Sequence, residues 1–507
     1  MKNPAKILET KQSVVYGCIF LCSIFMSFIA TNNPFLAGNT YVDSSVFNYV
    51  GRVILNGGMP YRDTFDHKGP LIYLIDALGQ LIHESLGLWF IELITLFFIF
   101  LLVYKIAKLV GCNNIRSLAV VLVCMCSMAL YFEGGNLVEE YACLFIMLQL
   151  YIFLHFFMDK EISILQLIIS GFCFGAVCLL RINMVSLWIV MCIGVVIKCI
   201  KDKKAPTIGR FILWFLTGAC IIVIPIIIWL VAGGAFKPFI EDYFSFNFLY
   251  SSQAENATLI NIIKGVAIFT ITPPVLLGLI IMTIVCFKDR KLLDILCLAT
   301  LVLSILMQCM AGQHFFHYGM VLCPIVAYAF SLALTSEHIT QLKIFKHKAK
   351  LILGMCAALV LGIIVLIIID FPIKDVIGKV MGITETFSEA KAVSEIVVDN
   401  TDENDKIIVV GNNDIIYLLS HRESYSLYSY QDPIIMIDEA KKDAFLADVG
   451  KLESKVIVVN TESEVKSFTE DVLAQHYTLI STVGKMEIYV KPEGVNLSSV
   501  IDSVSRP

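Results

Sequence analysis

Apolar and polar residues follow one another in long blocks that are typical of a protein crossing a membrane many times. Most of the first 370 residues lie in apolar stretches separated by polar loops. A helical stretch of roughly 17–23 apolar residues is long enough to cross ~30 Å of hydrocarbon. The pattern therefore predicts an α-helical polytopic membrane protein with about eleven spans. We place them at 13–31, 87–104, 117–132, 141–158, 162–180, 184–199, 211–232, 265–287, 292–310, 318–335 and 351–370.

The loop after the first predicted span, at about 32–86, is longer than a connection requires and predicts two amphipathic helices. Apolar residues recur at helical spacing from Val46 to Ile54, and Gly57-Gly58 ends that pattern. Pro70 stands where a second helix begins, and its apolar stripe continues to Ile82. We expect both helices to lie on the outer membrane face and to hold the polar turn 57–69 at the interface.

The tail, from residue 371 to residue 507, has a different pattern that predicts a small α/β domain. A transmembrane domain, 1–370, and an extracytoplasmic tail domain, 371–507, are therefore expected. Helical and strand-like runs alternate along the tail, which favours a partly parallel sheet. The predicted helices are 383–398, 412–420, 433–451 and 461–475, the strands are 406–411 and 455–460, and 478–491 is a closing strand or hairpin.

Composition and the distribution of charge predict the cellular location and the membrane orientation of the protein. The chain is 58% hydrophobic and 16% charged, with a mean hydropathy of +0.80, which excludes an ordinary soluble protein. With a cytoplasmic N-terminus, the predicted inner segments hold 19 Lys and Arg and the outer loops hold 6. An odd number of spans then places the tail outside the cytoplasm. We expect a multi-pass protein of the bacterial cytoplasmic membrane.

The tail and the cysteines exclude further classes of function. The tail has a net charge of −10, which argues against nucleic acid as a partner. The 16 cysteines all lie at or before Cys356, mostly in predicted spans, and show neither a disulfide framework nor zinc spacing. The run after the first tail strand, Gly411-Asn-Asn, is not a phosphate-binding glycine pattern, so no nucleotide site is predicted.

Asp43 is the first candidate for chemistry. It lies about a dozen residues beyond the first predicted span, at the start of a helix. One interpretation is a general base that deprotonates an acceptor hydroxyl or amine while that group attacks a sugar carbon. The other is an N-cap, because Asp before an apolar-periodic run suits that role. On spacing alone, the N-cap is the favoured interpretation.

A dense polar cluster occupies the turn 57–69. Arg62 and Lys68 would suit a lipid phosphate at the level of the headgroups. Asp63, Asp66 and His67 are candidates for contacts to sugar or acceptor. The alternative is an ordinary solvated turn.

Later outer segments carry a second set of candidates. Glu139 and Glu140 begin a predicted span, where they could complement the helix dipole or hold an amine, sugar hydroxyls or a metal. Arg181, at the outer end of another span, has to reach the interface or bind a partner, and a phosphate is one such partner.

His314, His317 and Tyr318 follow in the turn before the tenth span. Two histidines three positions apart could ligate a metal on a helix, but no third ligand has a fitting spacing. We favour hydrogen bonds from the histidines to a phosphate or to sugar hydroxyls. The metal ligands stay unknown; no cofactor is certain, and a divalent metal is left open.

Taken in order, these segments resemble membrane glycosyltransferases of the GT-C superfamily, in the protein O-mannosyltransferase-like and aminoarabinose-transferase-like branch. The resemblance covers roughly residues 10–335. Two departures stand out: the family often has a second acid where Ser44 follows the early Asp, and Lys-Pro-Pro where this chain has Lys-Gly-Pro. The segments are Asp43, Gly-Gly-Met-Pro-Tyr-Arg-Asp at 57–63, Lys-Gly-Pro at 68–70, Gly-Asn-Leu-Val-Glu-Glu-Tyr at 135–141 and His-Tyr at 317–318.

The resemblance implies a polyprenyl-phosphate-linked sugar as donor and a cell-surface glycopolymer, lipid or protein as acceptor on the outer face. It implies an inverting single displacement without an essential nucleotide, and it favours Asp43 as the base. We expect the donor phosphate to be bound by a basic set drawn from Lys68, Arg181, Arg62, His314 and His317.

Two other functions are kept as alternatives. One is a transporter or flippase of a lipid-linked sugar; such proteins tend to have inverted repeats and midplane charges, whereas the polar groups here concentrate in outer loops. The other is a polysaccharide polymerase or ligase. Those enzymes usually have their large outer loop late in the chain, whereas here it comes first.

Overall fold

A computed structural model describes residues 12–30, 32–33, 42–253, 258–336 and 388–492. A π-helical stretch, Ile240–Phe246, joins the helices Phe236–Phe239 and Asn247–Gln253, and a 3₁₀ turn, Phe316–Leu322, runs into the helix Cys323–Thr335. The helices are α1 (Gln12–Phe28), α2 (Val42–Leu55), α3 (Pro70–Ile82), α4 (Gly87–Val110), α5 (Asn114–Ala129), α6 (Val138–Phe157), α7 (Ile164–Leu180), α8 (Ser186–Lys201), α9 (Pro206–Ala232), α10 (Phe236–Phe239), α11 (Asn247–Gln253), α12 (Leu259–Ile271), α13 (Pro273–Asp289), α14 (Leu292–Cys309), α15 (Cys323–Thr335), α16 (Ser388–Asp399), α17 (Ile415–Ser420), α18 (Ile434–Ile437), α19 (Glu439–Gly450) and α20 (Lys466–His476).

The predicted polytopic helical fold is confirmed. Apolar helices occupy ten of the eleven predicted spans, and the eleventh, 351–370, lies outside the described residues. Within the described part of the chain, five helical segments are individually long and apolar enough to cross a membrane: α4, α6, α9, α14 and the continuous segment Phe316–Thr335. The helices α1, α5 and α7 are apolar but shorter.

The predicted span 265–287 differs from a single straight helix. It consists of α12 and α13, which meet at a bend of 80°. Pro273 and Pro274 begin α13, and Thr272 before them has the extended ψ of 133°. Proline lacks an amide hydrogen and disfavours helical backbone in the residue before it, so the helix has to break at this point.

The chain folds into two compact units. The described part of unit one comprises 12–33 without Thr31, 89–228 and 258–336. The described part of unit two comprises 42–88, 229–253 and 388–492, so the first long loop and the tail share a unit. The predicted domain boundary at 370 lies outside the described residues and stays a prediction.

In unit one, α7 and α9 cross with their backbones in contact. A Cβ built on Gly171 would collide with the carbonyl oxygen of Phe215, and one built on Gly218 would collide with that of Ile168. Small residues at a crossing allow such close approach, and in a membrane this packing replaces the hydrophobic drive of soluble cores.

Gly171→Leu should therefore destabilise unit one. Forcing a larger side chain into a packed interface costs about 1–3 kcal/mol, occasionally more. The measurement is the Tm of the detergent-solubilised protein together with its monodisperse fraction on gel filtration. Gly209→Leu is the matched control, because a Cβ at Gly209 meets nothing within 4 Å. Equal Tm values for the two variants would contradict the close crossing.

Unit two contains a five-stranded sheet in the order β2-β1-β3-β5-β4. The strand β1 is parallel to β2 and β3, whereas β5 is antiparallel to β3 and β4. The predicted small α/β domain with a partly parallel sheet is thereby confirmed, including the closing hairpin. The strands are β1 (Lys406–Val410), β2 (Glu423–Ser424), β3 (Val456–Asn460), β4 (Thr478–Val483) and β5 (Met486–Val490).

The hydrophobic core of the sheet includes side chains from the first long loop. Tyr49 and Val53 of α2 are buried among core residues of β1, β3, β5 and α17. The Tyr49 ring lies 4.9 Å from the ring of Tyr417, centroid to centroid. The backbone amide of Ser424 donates a hydrogen bond of 2.8 Å to the Tyr49 hydroxyl oxygen. The helix that carries Asp43 is thus part of the core of the tail domain.

The helices α2 and α3, both predicted from periodicity, pack closely together at Gly51. A Cβ on Gly51 would lie 2.8 Å from the backbone nitrogen of Ala77 and 3.0 Å from the carbonyl carbon of Asp76. At the start of α3, Gly69 is the N-cap and Pro70 follows at the first helical position, as predicted. This helix pair holds the turn 57–69.

Candidate functional site

Asp43 lies in the first turn of α2, where the N-terminal end of the helix dipole favours a negative charge. Its side chain is half-buried. Among the described residues, which exclude 34–41, none makes a hydrogen bond or ion pair with its carboxylate. Burial, followed by the charge of Asp66, raises the pKa of Tyr430, and the charge of Asp43 contributes to the same rise.

Arg62 and Asp63 form an ion pair at the exposed side of the turn. Two guanidinium nitrogens of Arg62 donate to the two carboxylate oxygens of Asp63, at 2.9 and 2.6 Å. The amide of Met59 donates to the same carboxylate at 2.7 Å. The hydrogen bonds from Arg62 lower the pKa of Asp63. This pair fixes the shape of the turn.

Asp66 is a buried carboxylate whose two oxygens accept hydrogen bonds within unit two. The hydroxyls of Tyr73 and Tyr430 donate at 2.8 Å each, and the amide of His67 donates at 2.6 Å. A buried charge is tolerated only with such partners. Since Tyr430 belongs to the tail, Asp66 ties the turn of the first loop to the α/β domain.

The backbone of Lys68 is held by two tyrosines. Its carbonyl oxygen accepts from the Tyr61 hydroxyl at 2.7 Å and from the Tyr73 hydroxyl at 3.2 Å. Its ammonium lies 3.2 Å from Nε2 of His67, and Nδ1 of that ring lies 2.8 Å from Oδ1 of Asn247. These contacts suit a neutral His67 that donates to Asn247 and accepts from Lys68. The position of the cation is therefore set by its surroundings.

Arg181 is the central cation of the candidates in unit one. It caps the C-terminal end of α7 and donates to Oε1 of Glu139 at 2.7 Å. Its guanidinium carbon lies 4.0 Å from the centroid of the Tyr318 ring, a cation–π contact. The second carboxylate oxygen of Glu139 is buried and has no partner among the described residues. Three predicted residues thus come together here.

The two histidines of the predicted pair have different surroundings. Nδ1 of His317 lies 2.5 Å from a carboxylate oxygen of Glu133, and the His317 ring stacks on Phe315. His314 lies beside Gly265 of α12, and its buried Nδ1 has no partner among the described residues. Within the described ranges, no group of three or more His, Cys, Asp or Glu side chains is arranged to hold a metal.

Glu140 belongs to a buried polar group that the sequence did not reveal. The amide of Asn136 donates to Oε2 of Glu140 at 3.0 Å and to Oε1 of Glu92 at 3.3 Å. A Cβ on Gly135, whose φ is +79°, would collide with the Glu92 carboxylate. A carboxylate within an apolar span is the one signal that could have indicated Glu92 in advance.

The predicted site residues are divided between the two units. Unit two holds Asp43 and the cluster 62–68, and unit one holds the remaining candidates. The sequence also predicts that Asp43 and the basic set face one cavity, and this stays a prediction. The candidates in unit one are Glu139, Glu140, Arg181, His314, His317 and Tyr318.

Sequence reasoning missed Tyr73, Tyr430 and Asn247, because nothing in a single sequence indicates which distant hydroxyl or amide meets the turn.

Comparison with solved structures confirms the GT-C resemblance at the level of the fold. ArnT from Cupriavidus metallidurans bound to undecaprenyl phosphate superposes with a TM-score of 0.59 at 10% identity, over 95% of this chain and 98% of that chain. The apo form of the same protein superposes with a TM-score of 0.57 at 11% identity, over 98% of this chain and 99% of that chain. A third structure is the oligosaccharyltransferase AglB from Archaeoglobus fulgidus in complex with an inhibitory peptide and a dolichol-phosphate. It superposes with a TM-score of 0.50 at 13% identity, over 96% of this chain and 75% of that chain.

Sequence comparison identifies a family. No curated protein matches the chain. Residues 6–367 match the family model described as "Putative competence-induced protein Ccs4 N-terminal domain", and residues 387–491 match the corresponding C-terminal domain. The first match alone covers more than half of the chain, and the chain therefore belongs to the Ccs4 family.

Proposed function

We propose that this protein is a glycosyltransferase that moves a sugar from a polyprenyl-phosphate-linked donor to an acceptor at the outer face of the membrane. The single observation that carries the proposal is the position and surroundings of the Asp43 carboxylate. It lies at the positive end of α2, has no protein partner among the described residues, and stands in a fold shared with a protein crystallised with undecaprenyl phosphate.

In the proposed reaction, Asp43 removes a proton from the acceptor hydroxyl or amine, and the freed electron pair attacks the anomeric carbon of the donor sugar. The bond from that carbon to the phosphate oxygen breaks, and polyprenyl phosphate leaves with the bonding electrons. Attack from the face opposite the leaving group inverts the anomeric centre. The base contributes by receiving the proton as the new bond forms.

The phosphate that leaves gains negative charge, so cations aimed at it stabilise the transition state. We propose Lys68 as a ligand of this phosphate, and Arg181 stays a prediction for the same role. Arg181 has five N–H donors and retains others beside the one that binds Glu139. Arg62, His314 and His317 stay predictions for the same role. Asp63 and Asp66 already accept hydrogen bonds from protein donors, and we assign them a positioning role. The predicted contacts to sugar or acceptor stay predictions for His67, Glu139, Glu140 and Tyr318.

Lys68→Ala should raise the apparent donor KM while leaving the fold intact. Removing one hydrogen bond to a charged group loses roughly 1.5–3 kcal/mol, which corresponds to about a 10- to 150-fold weaker donor affinity. The two tyrosine hydroxyls bind the carbonyl of residue 68, and that carbonyl is kept in the variant. Steady-state kinetics on the purified protein measure the effect. Lys237→Ala, which removes an exposed lysine of the same unit, is the control. An unchanged donor KM would remove Lys68 from the phosphate site.

We propose that the tail is extracytoplasmic in a bacterial cytoplasmic membrane, because the asymmetry of Lys and Arg favours that orientation. Protease added to intact protoplasts should then remove an epitope placed after residue 492, and an epitope in the predicted cytoplasmic loop 200–210 should survive until the cells are lysed. A tail epitope that is protected in intact protoplasts would contradict this orientation and the outer location of the site.

The proposed function is tested in cells by mass spectrometry of surface glycopolymers and lipid-linked sugars, with and without the gene. Loss of one surface sugar together with accumulation of its polyprenyl phosphate form supports transfer. If the protein were a flippase, cells without the gene would keep the donor on the cytoplasmic face of the membrane. An added membrane-impermeant glycosidase could not reach the donor there in intact protoplasts. No change in either pool would contradict the proposal.

A further inference from the structure

The helical segment that follows α9 has two faces of different character. One face is buried within unit two: Phe239, Asp242, Tyr243 and Phe246 expose 5% or less of their surface. The opposite face carries large apolar side chains that remain exposed. We call this set the apolar stripe, and it consists of Phe236 (38% exposed), Ile240 (38%), Phe244 (42%) and Phe248 (77%).

Contacts of the buried face fix how the segment is turned. The Phe239 ring meets Tyr61 edge to face at 5.4 Å, and Phe246 meets Phe65 in the same way at 5.4 Å. The carboxylate of Asp242 accepts from the ammonium of Lys441 at 2.8 Å. With these side chains engaged in unit two, the apolar stripe is held on the outside of the unit.

The stripe is continuous, because its members recur every four residues. The π-helical stretch Ile240–Phe246 lies in the middle of the segment, with α10 before it and α11 after it. A four-residue repeat keeps side chains close to one face of a helix. Contiguous exposed apolar surface of this kind marks an interaction site and not an ordinary solvated helix.

The position of the stripe along the chain indicates what covers it. The preceding helix α9 has 27 residues and an apolar window with a mean hydropathy of 2.8, and it ends at Ala232. Only Gly233, Gly234 and Ala235 separate that end from Phe236. Away from the stripe, Lys237 and Glu241 form an exposed ion pair at 3.5 Å, which is suited to water and headgroups. Aromatic side chains concentrate at such membrane boundaries.

We propose that the apolar stripe is a membrane-embedded surface, whose four side chains insert among the acyl chains of the leaflet that meets the end of α9. The segment thus lies in the plane of the interface, with its buried face against unit two and its apolar face in lipid. The turn 57–69, which the segment contacts through Tyr61 and Phe65, is held at the level of the headgroups by this insertion. The proposal does not depend on the reaction that the protein catalyses.

Photo-crosslinking of the full-length chain tests the insertion. Benzoylphenylalanine replaces Phe244 or Phe248, and the matched control carries it at Glu241, which is exposed in the same segment but outside the stripe. The positive control carries it at Ile228, an exposed residue of α9. Each variant is reconstituted in vesicles of phosphatidylethanolamine and phosphatidylglycerol and irradiated, and adducts are mapped by mass spectrometry.

Insertion predicts about tenfold more phospholipid adduct at positions 244 and 248 than at 241, at a level close to that of position 228. Equal adduct at 241, 244 and 248 would overturn the proposal. Crosslinks from 244 or 248 to peptides of this chain would also overturn it, because another segment or a second copy would then cover the stripe. Since the readout needs no transfer activity, its failure is distinguishable from failure of the proposed function.

Discussion

Asp43→Asn should lower the rate of sugar transfer by about 10²–10⁴-fold while leaving the protein folded. The amide is nearly the same size as the carboxylate, but it cannot take the proton of the acceptor. If Asp43 served only as a helix-terminal charge, its replacement would lose about 0.3–1 kcal/mol of stability and little rate. Transfer measured at saturating donor, with the Tm measured in parallel, separates the two roles.

Asp443→Asn provides the matched control, because it makes the same chemical change at an exposed position of α19 in the same unit. The control should transfer at the wild-type rate. Near-wild-type transfer by Asp43→Asn at equal expression would refute the catalytic role. A loss of Tm large enough to unfold the variant would instead make Asp43 a structural residue of α2.

The second large effect is expected from Tyr49→Ala, a change in the first loop that should destabilise the tail domain. Truncating a buried aromatic side chain to Ala loses about 3–5 kcal/mol because a cavity remains. The variant also leaves the Ser424 amide without its hydroxyl partner. Limited proteolysis should therefore cleave 388–492 faster in the variant, and its unfolding temperature should fall.

Tyr49→Phe separates the two contributions, since it keeps the ring contact with Tyr417 and removes only the hydroxyl. It should lose about 1–3 kcal/mol, the penalty for an unpaired buried donor. Tyr16→Ala is the matched control, because Tyr16 lies in the other unit and is 42% exposed. Unchanged protease resistance of the tail in Tyr49→Ala would show that the sheet folds without α2.

Much of the local structure could be predicted from the sequence, because it is encoded over short distances. The run Ile407–Val410 is uniformly apolar and forms the buried strand β1. The periodic residues of α2 and the proline at the start of α3 predicted both helices. The two-residue strand β2, Glu423–Ser424, was missed, because it is too short and too polar to leave a pattern.

Long-range contacts could not be predicted, because a single sequence contains no information about distance. Tyr49 and Ser424 are 375 positions apart, and Asp66 and Tyr430 are 364 apart. The candidate residues Asp66 and Lys68 could be named in advance, but the tyrosine hydroxyls that hold them could not. The adjacent prolines at 273 and 274 indicate a kink in the predicted span 265–287, but the sequence does not give the size of the bend, which is 80°.

These contacts suggest why the tail belongs to the proposed enzyme. Its Tyr430 binds Asp66, and its core contains Tyr49 from the helix that begins near Asp43. Catalytic groups need supports that hold them within a fraction of an ångström of the productive geometry, preferably on rigid elements. In the proposed enzyme, the tail supplies that support for the base and for the turn that presents Lys68.

The central claim is that a bond between a sugar and polyprenyl phosphate is broken, and the most direct measurement follows that bond. Purified wild-type protein and Asp43→Asn are reconstituted in vesicles with lipid-linked sugars and envelope material extracted from cells that lack the gene. Mass spectrometry then follows free polyprenyl phosphate and glycosylated acceptor over time. The account predicts that both products appear together, in equal amounts, with the wild type and not with Asp43→Asn. Intact lipid-linked sugar that only changes leaflet, with no polyprenyl phosphate released, would contradict it.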